Sequence, residues 1–133
     1  MDDVKPVIDH VHVTVSDIER AEAFYDQLMP LFGFHLDDKE TDAVPDSEYK
    51  IVEYHHRNFS FGIVSPRSVY KNEIVSRRKP RALHHLAFHV NSRDEVKGLY
   101  EQVKKIKAEI VQAPRLYPDV VDQRPGKDQD LHV

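Results

Sequence analysis

The sequence predicts an α+β fold in which one strand–helix module is used twice, and three observations carry that expectation. Ile8-Asp9-His10-Val11-His12-Val13-Thr14-Val15 and Leu83-His84-His85-Leu86-Ala87-Phe88-His89-Val90 both alternate as half-buried strands do, so residues two apart share a face. In each, one face is apolar (Val11, Val13, Val15; Leu86, Phe88, Val90) and the other carries histidines (His10, His12; His85, His89). The two stretches also match at an offset of 75 residues, and the match continues without a gap into the next segments: Phe24-Tyr25-Asp26-Gln27-Leu28 falls on Leu99-Tyr100-Glu101-Gln102-Val103. A dry core has no use for rows of imidazoles. The pattern therefore points to a concave sheet with a metal or polar ligand inside, built from a first module over residues 1–66, a connection over 67–82 and a second module over 83–133.

The elements can be taken in order. Ser16-Asp17-Ile18-Glu19 has the form of a capping box, with Ser16 as cap and Glu19 reaching back. Ile18, Ala21, Phe24, Tyr25 and Leu28 then recur at helical spacing and form one apolar stripe. Pro30 and Gly33 bound that helix, and Leu31–Leu36 reads as a turn into a second strand. Asp37–Asp46, acidic and holding Pro45, reads as an exposed loop. Tyr49–His56 and Phe59–Val64 form a hairpin through Arg57-Asn58, and which face of its first strand looks inward stays open. His55, His56 and His84 are read as surface residues. Ser65–Arg81, with Pro66, Pro80 and the basic Arg77-Arg78-Lys79, is a connection. Ser92-Arg93-Asp94-Glu95 is a second capping box, Val96, Leu99, Tyr100, Val103 and Ile106 a second stripe, and Ala108–Ala113 a strand. The last twenty residues, rich in Pro, Asp and Gln, do not repeat the hairpin that ends the first module.

Composition narrows the function classes. With 23 acidic and 19 basic side chains the net charge is −4, which leaves no broad positive footprint for nucleic acid. No apolar run approaches the roughly 20 residues of a membrane span. The N-terminus lacks the apolar core of a signal peptide, so cytoplasmic residence is expected. There is no cysteine, so a metal site must be built from His, Asp and Glu, donors that suit Ni, Mn, Fe or Zn.

Together, Asp9-His10-Val11-His12-Val13-Thr14-Val15-Ser16-Asp17, Phe24-Tyr25, Gly33-Phe34 and His84-His85-Leu86-Ala87-Phe88-His89-Val90 resemble the vicinal oxygen chelate superfamily. That superfamily includes glyoxalase I, methylmalonyl-CoA epimerase, extradiol dioxygenases, and the fosfomycin and bleomycin resistance proteins. The resemblance implies two βαβββ modules forming an open cup-shaped mixed sheet with helices packed outside, the second module here incomplete. It puts metal ligands on His10 and His85, one from the first strand of each module. A carboxylate from the last strand usually joins them; here His132 stands near that place, after Arg124-Pro125-Gly126 rather than the family's Asp-Pro-x-Gly turn. Glu53 is the candidate catalytic carboxylate, and His12 and His89 line the pocket.

The implied function is a divalent-metal-dependent glyoxalase I-like lyase or extradiol-type dioxygenase acting on a small substrate whose vicinal oxygens bind the ion. A metal-free small-molecule-binding protein of the bleomycin-resistance type, or an inactive member, are the alternatives. An incomplete second module leaves a strand edge to cover, so a homodimer is expected.

Overall fold

The computed structural model describes residues 7–115 and the backbone of 130–132. The fold is α+β, and the chain forms two compact units, residues 1–74 and 75–133.

The first unit is a βαβββ module. Strands β1 (His10–Thr14), β2 (Glu40–Val44), β3 (Tyr49–His56) and β4 (Phe59–Val64) form one sheet in the order β1-β4-β3-β2, with helix α1 (Ile18–Leu28) between β1 and β2. β1 runs parallel to β4, and the other pairs are antiparallel. The cap of α1 is Asp17 rather than Ser16: Asp17 has the extended backbone, and its Oδ1 accepts from the Arg20 amide at 3.1 Å. The helix passes into a 3-10 turn at Met29–Phe32, which Gly33 ends in the left-handed region at φ 87°.

Alternation along the hairpin decides which face meets α1. Val52, Tyr54 and Ile63 are fully buried and Phe61 nearly so, with Ile18, Leu28 and Met29 from the helical side. The Tyr25 ring sits 5.1 Å from that of Phe61. Full burial of each such side chain contributes roughly 1.5–3 kcal/mol, so this layer holds the module together. Tyr54 keeps its hydroxyl partnered beneath the helix, donating to Asp26 Oδ1 at 2.9 Å with the Glu22 carbonyl at 3.3 Å. Lys39 Nζ donates to Glu22 Oε2 at 2.9 Å and to Asp26 Oδ1 at 3.0 Å, tying the start of β2 to α1. The hydrogen bond to Glu22 holds the Lys39 ammonium above its ordinary pKa despite partial desolvation, with Asp26 adding to the effect. Burial, then Asp26, pushes the Tyr54 phenol up as well.

The second strand lies later than its sequence suggests. Leu31–Leu36 forms no strand, because Pro30 and Gly33 bend the chain there and Phe34 turns into the core, its ring 5.3 Å from that of His56. Glu40–Val44, inside the expected loop, is the strand. It is exposed along its length and pairs with β3 as a sheet edge, so no buried face patterns its residues.

In the second unit, β5 (Ala87–His89) pairs antiparallel with β6 (Asp130–His132), and α2 (Arg93–Lys105) lies between them in the chain. The Ser92 hydroxyl accepts from the Glu95 amide at 3.1 Å, and Glu95 Oε2 accepts from the Asn91 amide at 2.8 Å. Val96, Leu99, Tyr100, Val103 and Ile106 are the half-buried stripe of this helix and its C-cap. Val90 is the one buried apolar side chain of this unit among the described residues. Strand β5 is shorter than the expected 83–90, and His84 and His85 precede it. Ala108–Ala113 is not a strand: Lys107 sits at φ 59°, and Ile110 and Val111 are exposed. The Arg124-Pro125-Gly126 turn lies outside the described residues. No helix among the described residues is long and apolar enough to cross a membrane.

Candidate functional site

The face of the first-unit sheet turned away from α1 gathers the polar side chains. Register fixes its rows. His10 pairs with Ser60, which pairs with His55; His12 pairs with Gly62, which pairs with Glu53, which pairs with Glu40. Each of these residues alternates with one on the apolar face, so the packing of Val52, Tyr54, Phe61 and Ile63 against α1 is what presents Glu53, His55, Ser60 and Gly62 on the other side. The hairpin question left open by the pattern is thereby answered: Glu53 and His55 share the histidine face.

Gly62 makes the central contact possible. A Cβ at that position would lie 2.6 Å from His12 Cδ2 and 3.1 Å from Nε2, so the imidazole rests on bare backbone in the middle of the sheet. From there His12 Nε2 comes within 3.6 Å of Glu53 Oε2, an ion-pair distance rather than a hydrogen bond. The two side chains are about one-third exposed, His12 at 34% and Glu53 at 30%, so a ligand can reach both.

Two further imidazoles flank this pair. The His10 and His12 ring centroids are 4.9 Å apart. His10 Nδ1 donates to Asp9 Oδ2 at 2.8 Å; a carboxylate can only accept, so Nδ1 carries the proton and Nε2 is left as the basic nitrogen. His55 is half-buried rather than a surface residue. Its Nδ1 lies 2.7 Å from Ser60 Oγ, while its buried Nε2 has no hydrogen-bond partner among the described residues and stands 3.6 Å from Glu40 Oε1. His56 is on the opposite face, against Phe34 and next to Gly33.

In the second unit, His84 and His85 are exposed and their Nδ1 atoms are 2.7 Å apart, so one ring donates to the other. His89 is exposed on β5. The backbone of His132 pairs with Ala87; the His132 side chain lies outside the described residues.

The structure thus brings together His10, His12 and Glu53 of the expected set and adds Asp9, His55, Ser60 and Gly62. Hairpin arithmetic could have found Gly62: a two-residue turn at Arg57-Asn58 pairs residue 56 with 59 and therefore 53 with 62. The parallel pairing of β1 with β4, which lays His12 over that glycine, has no signature in the sequence. The donors on this face are imidazole nitrogen and carboxylate oxygen, types that suit divalent ions. Among the described residues, however, no three His, Cys, Asp or Glu side chains are placed to hold one ion. What the arrangement offers directly is a carboxylate beside an imidazole on a ligand-accessible surface, a pairing suited to accepting and returning a proton.

Residues 7–120 match the model of the Glyoxalase/Bleomycin resistance protein/Dioxygenase superfamily. The crystal structure of a candidate glyoxalase from Bacillus halodurans is similar to this chain, with a TM-score of 0.60 and 25% identity, covering 80% of this chain and 74% of that one. No curated protein matches.

Proposed function

The chain belongs to the Glyoxalase/Bleomycin resistance protein/Dioxygenase superfamily, and on that premise we propose that it binds a small substrate with neighbouring oxygens on the histidine face of the first-unit sheet and moves a proton on it. Glu53 is the base and His12 its partner. The observation that carries this reading is the approach of His12 Nε2 to Glu53 Oε2 at 3.6 Å across Gly62.

The chemistry derives from the two side chains. With a substrate carbonyl beside a C–H bond, the Glu53 carboxylate takes the proton, and the C–H electron pair moves into the carbonyl to give an enediolate. A protonated His12 donates to the developing oxyanion and offsets its charge. Return of the proton from Glu53 to the former carbonyl carbon, as His12 protonates one oxygen and takes the proton of the neighbouring hydroxyl, completes an isomerisation, and its return to the first carbon completes an exchange with solvent. His10, held by Asp9 in one tautomer, presents Nε2 to a substrate hydroxyl as acceptor. His10 lies in the first unit and His85 in the second, and the side chain of His132 lies outside the described residues, so the step draws on the first-unit side chains alone. Metal content is nevertheless worth measuring, with and without added Ni, Mn, Fe or Zn. About one ion per chain that disappears in a His10→Ala, His85→Ala protein would show that this face works with a metal.

The test is deuterium uptake from D2O at the carbon next to the carbonyl, followed by NMR over a panel of 2-hydroxyketones, hemithioacetals and epimerisable thioesters. Exchange by the wild type that is lost in Glu53→Gln supports the reading. Binding without exchange would support sequestration of the bleomycin-resistance kind instead.

A further inference from the structure

The same face continues past the histidines into a cavity of ≈ 530 Å³, within the range of small-molecule sites. Its walls include Thr14, Val44, Tyr49, Val64, Pro66 and Tyr70. Thr14 is the next residue after His12 on that face of β1, and Val64 the next after Gly62 on β4. Two residues along a strand span roughly 7 Å, so the cavity begins one side-chain step from the His12–Glu53 pair.

Several of the polar groups around it are engaged with one another. Ser65 Oγ accepts from the Lys50 amide at 2.9 Å and donates to the Glu48 carbonyl at 3.0 Å. The Glu48 carboxylate accepts from the Ser68 hydroxyl and backbone and lies in the field of Arg67, whose charge it offsets. These bonds join the 3-10 turns at Pro45–Ser47 and Ser68–Tyr70 and shape the cavity before anything enters. Ser47 and Arg67 complete the lining, Arg67 beside the Glu48 carboxylate, and the greater part of the surface facing inward is apolar and aromatic.

We propose that this cavity holds an uncharged aromatic tail of the substrate whose oxygen-bearing head lies on His12 and Glu53. The proposal rests on the proton-transfer reading and deepens it: the substrate is bipartite, with about 7 Å between its reacting carbon and its ring. Tyr49 and Tyr70 favour a ring over an alkyl chain, because aromatic pairs gain from their own geometry beyond the area they bury.

The experiment compares two probes on the whole chain: hydroxyacetone, which is the head alone, and 1-hydroxy-4-phenylbutan-2-one, in which a two-carbon spacer sets the ring off from the same head by about the required distance. Binding is measured by titration calorimetry and turnover by deuterium exchange. The aromatic probe should bind about tenfold tighter to the wild type. Thr14→Phe fills the cavity from an exposed strand position, and should bring the two Kd values together while leaving that of hydroxyacetone unchanged. Tyr70→Ala, also at an exposed position, should weaken the aromatic probe selectively. Equal binding of the two probes, or a preference that survives both substitutions, would overturn the cavity proposal even if exchange at Glu53 proceeds. A preference erased by Thr14→Phe, with no exchange of either probe, would support the cavity and overturn the proton-transfer reading.

Discussion

The two faces of the first-unit sheet are made from the same strands and have opposite chemistry. One lays Val52, Tyr54, Phe61 and Ile63 against α1, all at 4% exposure or less. The other carries His10, His12, Glu53, His55 and Ser60, half-buried or exposed, together with the buried Ile51. Because strand side chains alternate, neither face can shift without the other. The buried face sets stability and, through register, delivers the polar face to its geometry. Side-chain changes on the two faces should therefore separate into effects on folding and effects on chemistry.

The largest expected effect on folding comes from the buried face. Ile63→Ala should lower unfolding free energy by about 3 kcal/mol in urea titrations, the cost of a core cavity. A loss under about 1 kcal/mol would mean this layer is not the module's core. Lys39→Met comes next, at about 1–2 kcal/mol, because it leaves Glu22 and Asp26 together without their shared donor. The same site gives a pH signature. Lys39, Tyr54 and Tyr25 all have raised values in the folded chain, so their stabilisation is fully present below about pH 10 and is lost as pH rises through the folded values. Wild-type stability should fall in the alkaline limb, and Lys39→Met should flatten that fall.

Substitutions on the polar face sharpen the contrast. Gly62→Ala places a Cβ 2.6 Å from the His12 ring, so the imidazole must swing off the sheet. Exchange activity should drop about as far as in Glu53→Gln, for a stability cost of about 1 kcal/mol. The smallest expected effect on stability is that of Glu53→Gln itself, within about 0.5 kcal/mol, with exchange reduced by about a hundredfold or more. If Glu53→Gln unfolded the protein while Ile63→Ala did not, the assignment of roles to the two faces would be reversed.

Much of this architecture was legible in the residues, for physical reasons. Strand β1, the hairpin β3–β4 and both helices each have one face that packs, and that packing patterns the sequence with period two or 3.6. Strand β2 was not legible because Glu-Thr-Asp-Ala-Val has no buried side; backbone pairing to β3 and the Lys39 tie hold it. Leu31–Leu36 misled because its apolar residues serve a bent chain entering the core rather than a strand. The offset of 75 residues between His10 and His85 is real in sequence but unequal in structure, since His10 lies on a four-stranded sheet and His85 precedes the three-residue β5. The candidate site was half legible: His10, His12 and Glu53 stand out by type. The glycine that lets two of them meet has no side chain to notice.

The most direct test is a double-mutant cycle on deuterium exchange, with His12→Ala, Glu53→Gln and the two combined. If the pair acts as a unit across Gly62, the double variant should be no slower than Glu53→Gln alone. Losses that simply add would show that His12 and Glu53 work independently, and would contradict the assignment of this face as one proton-transfer site.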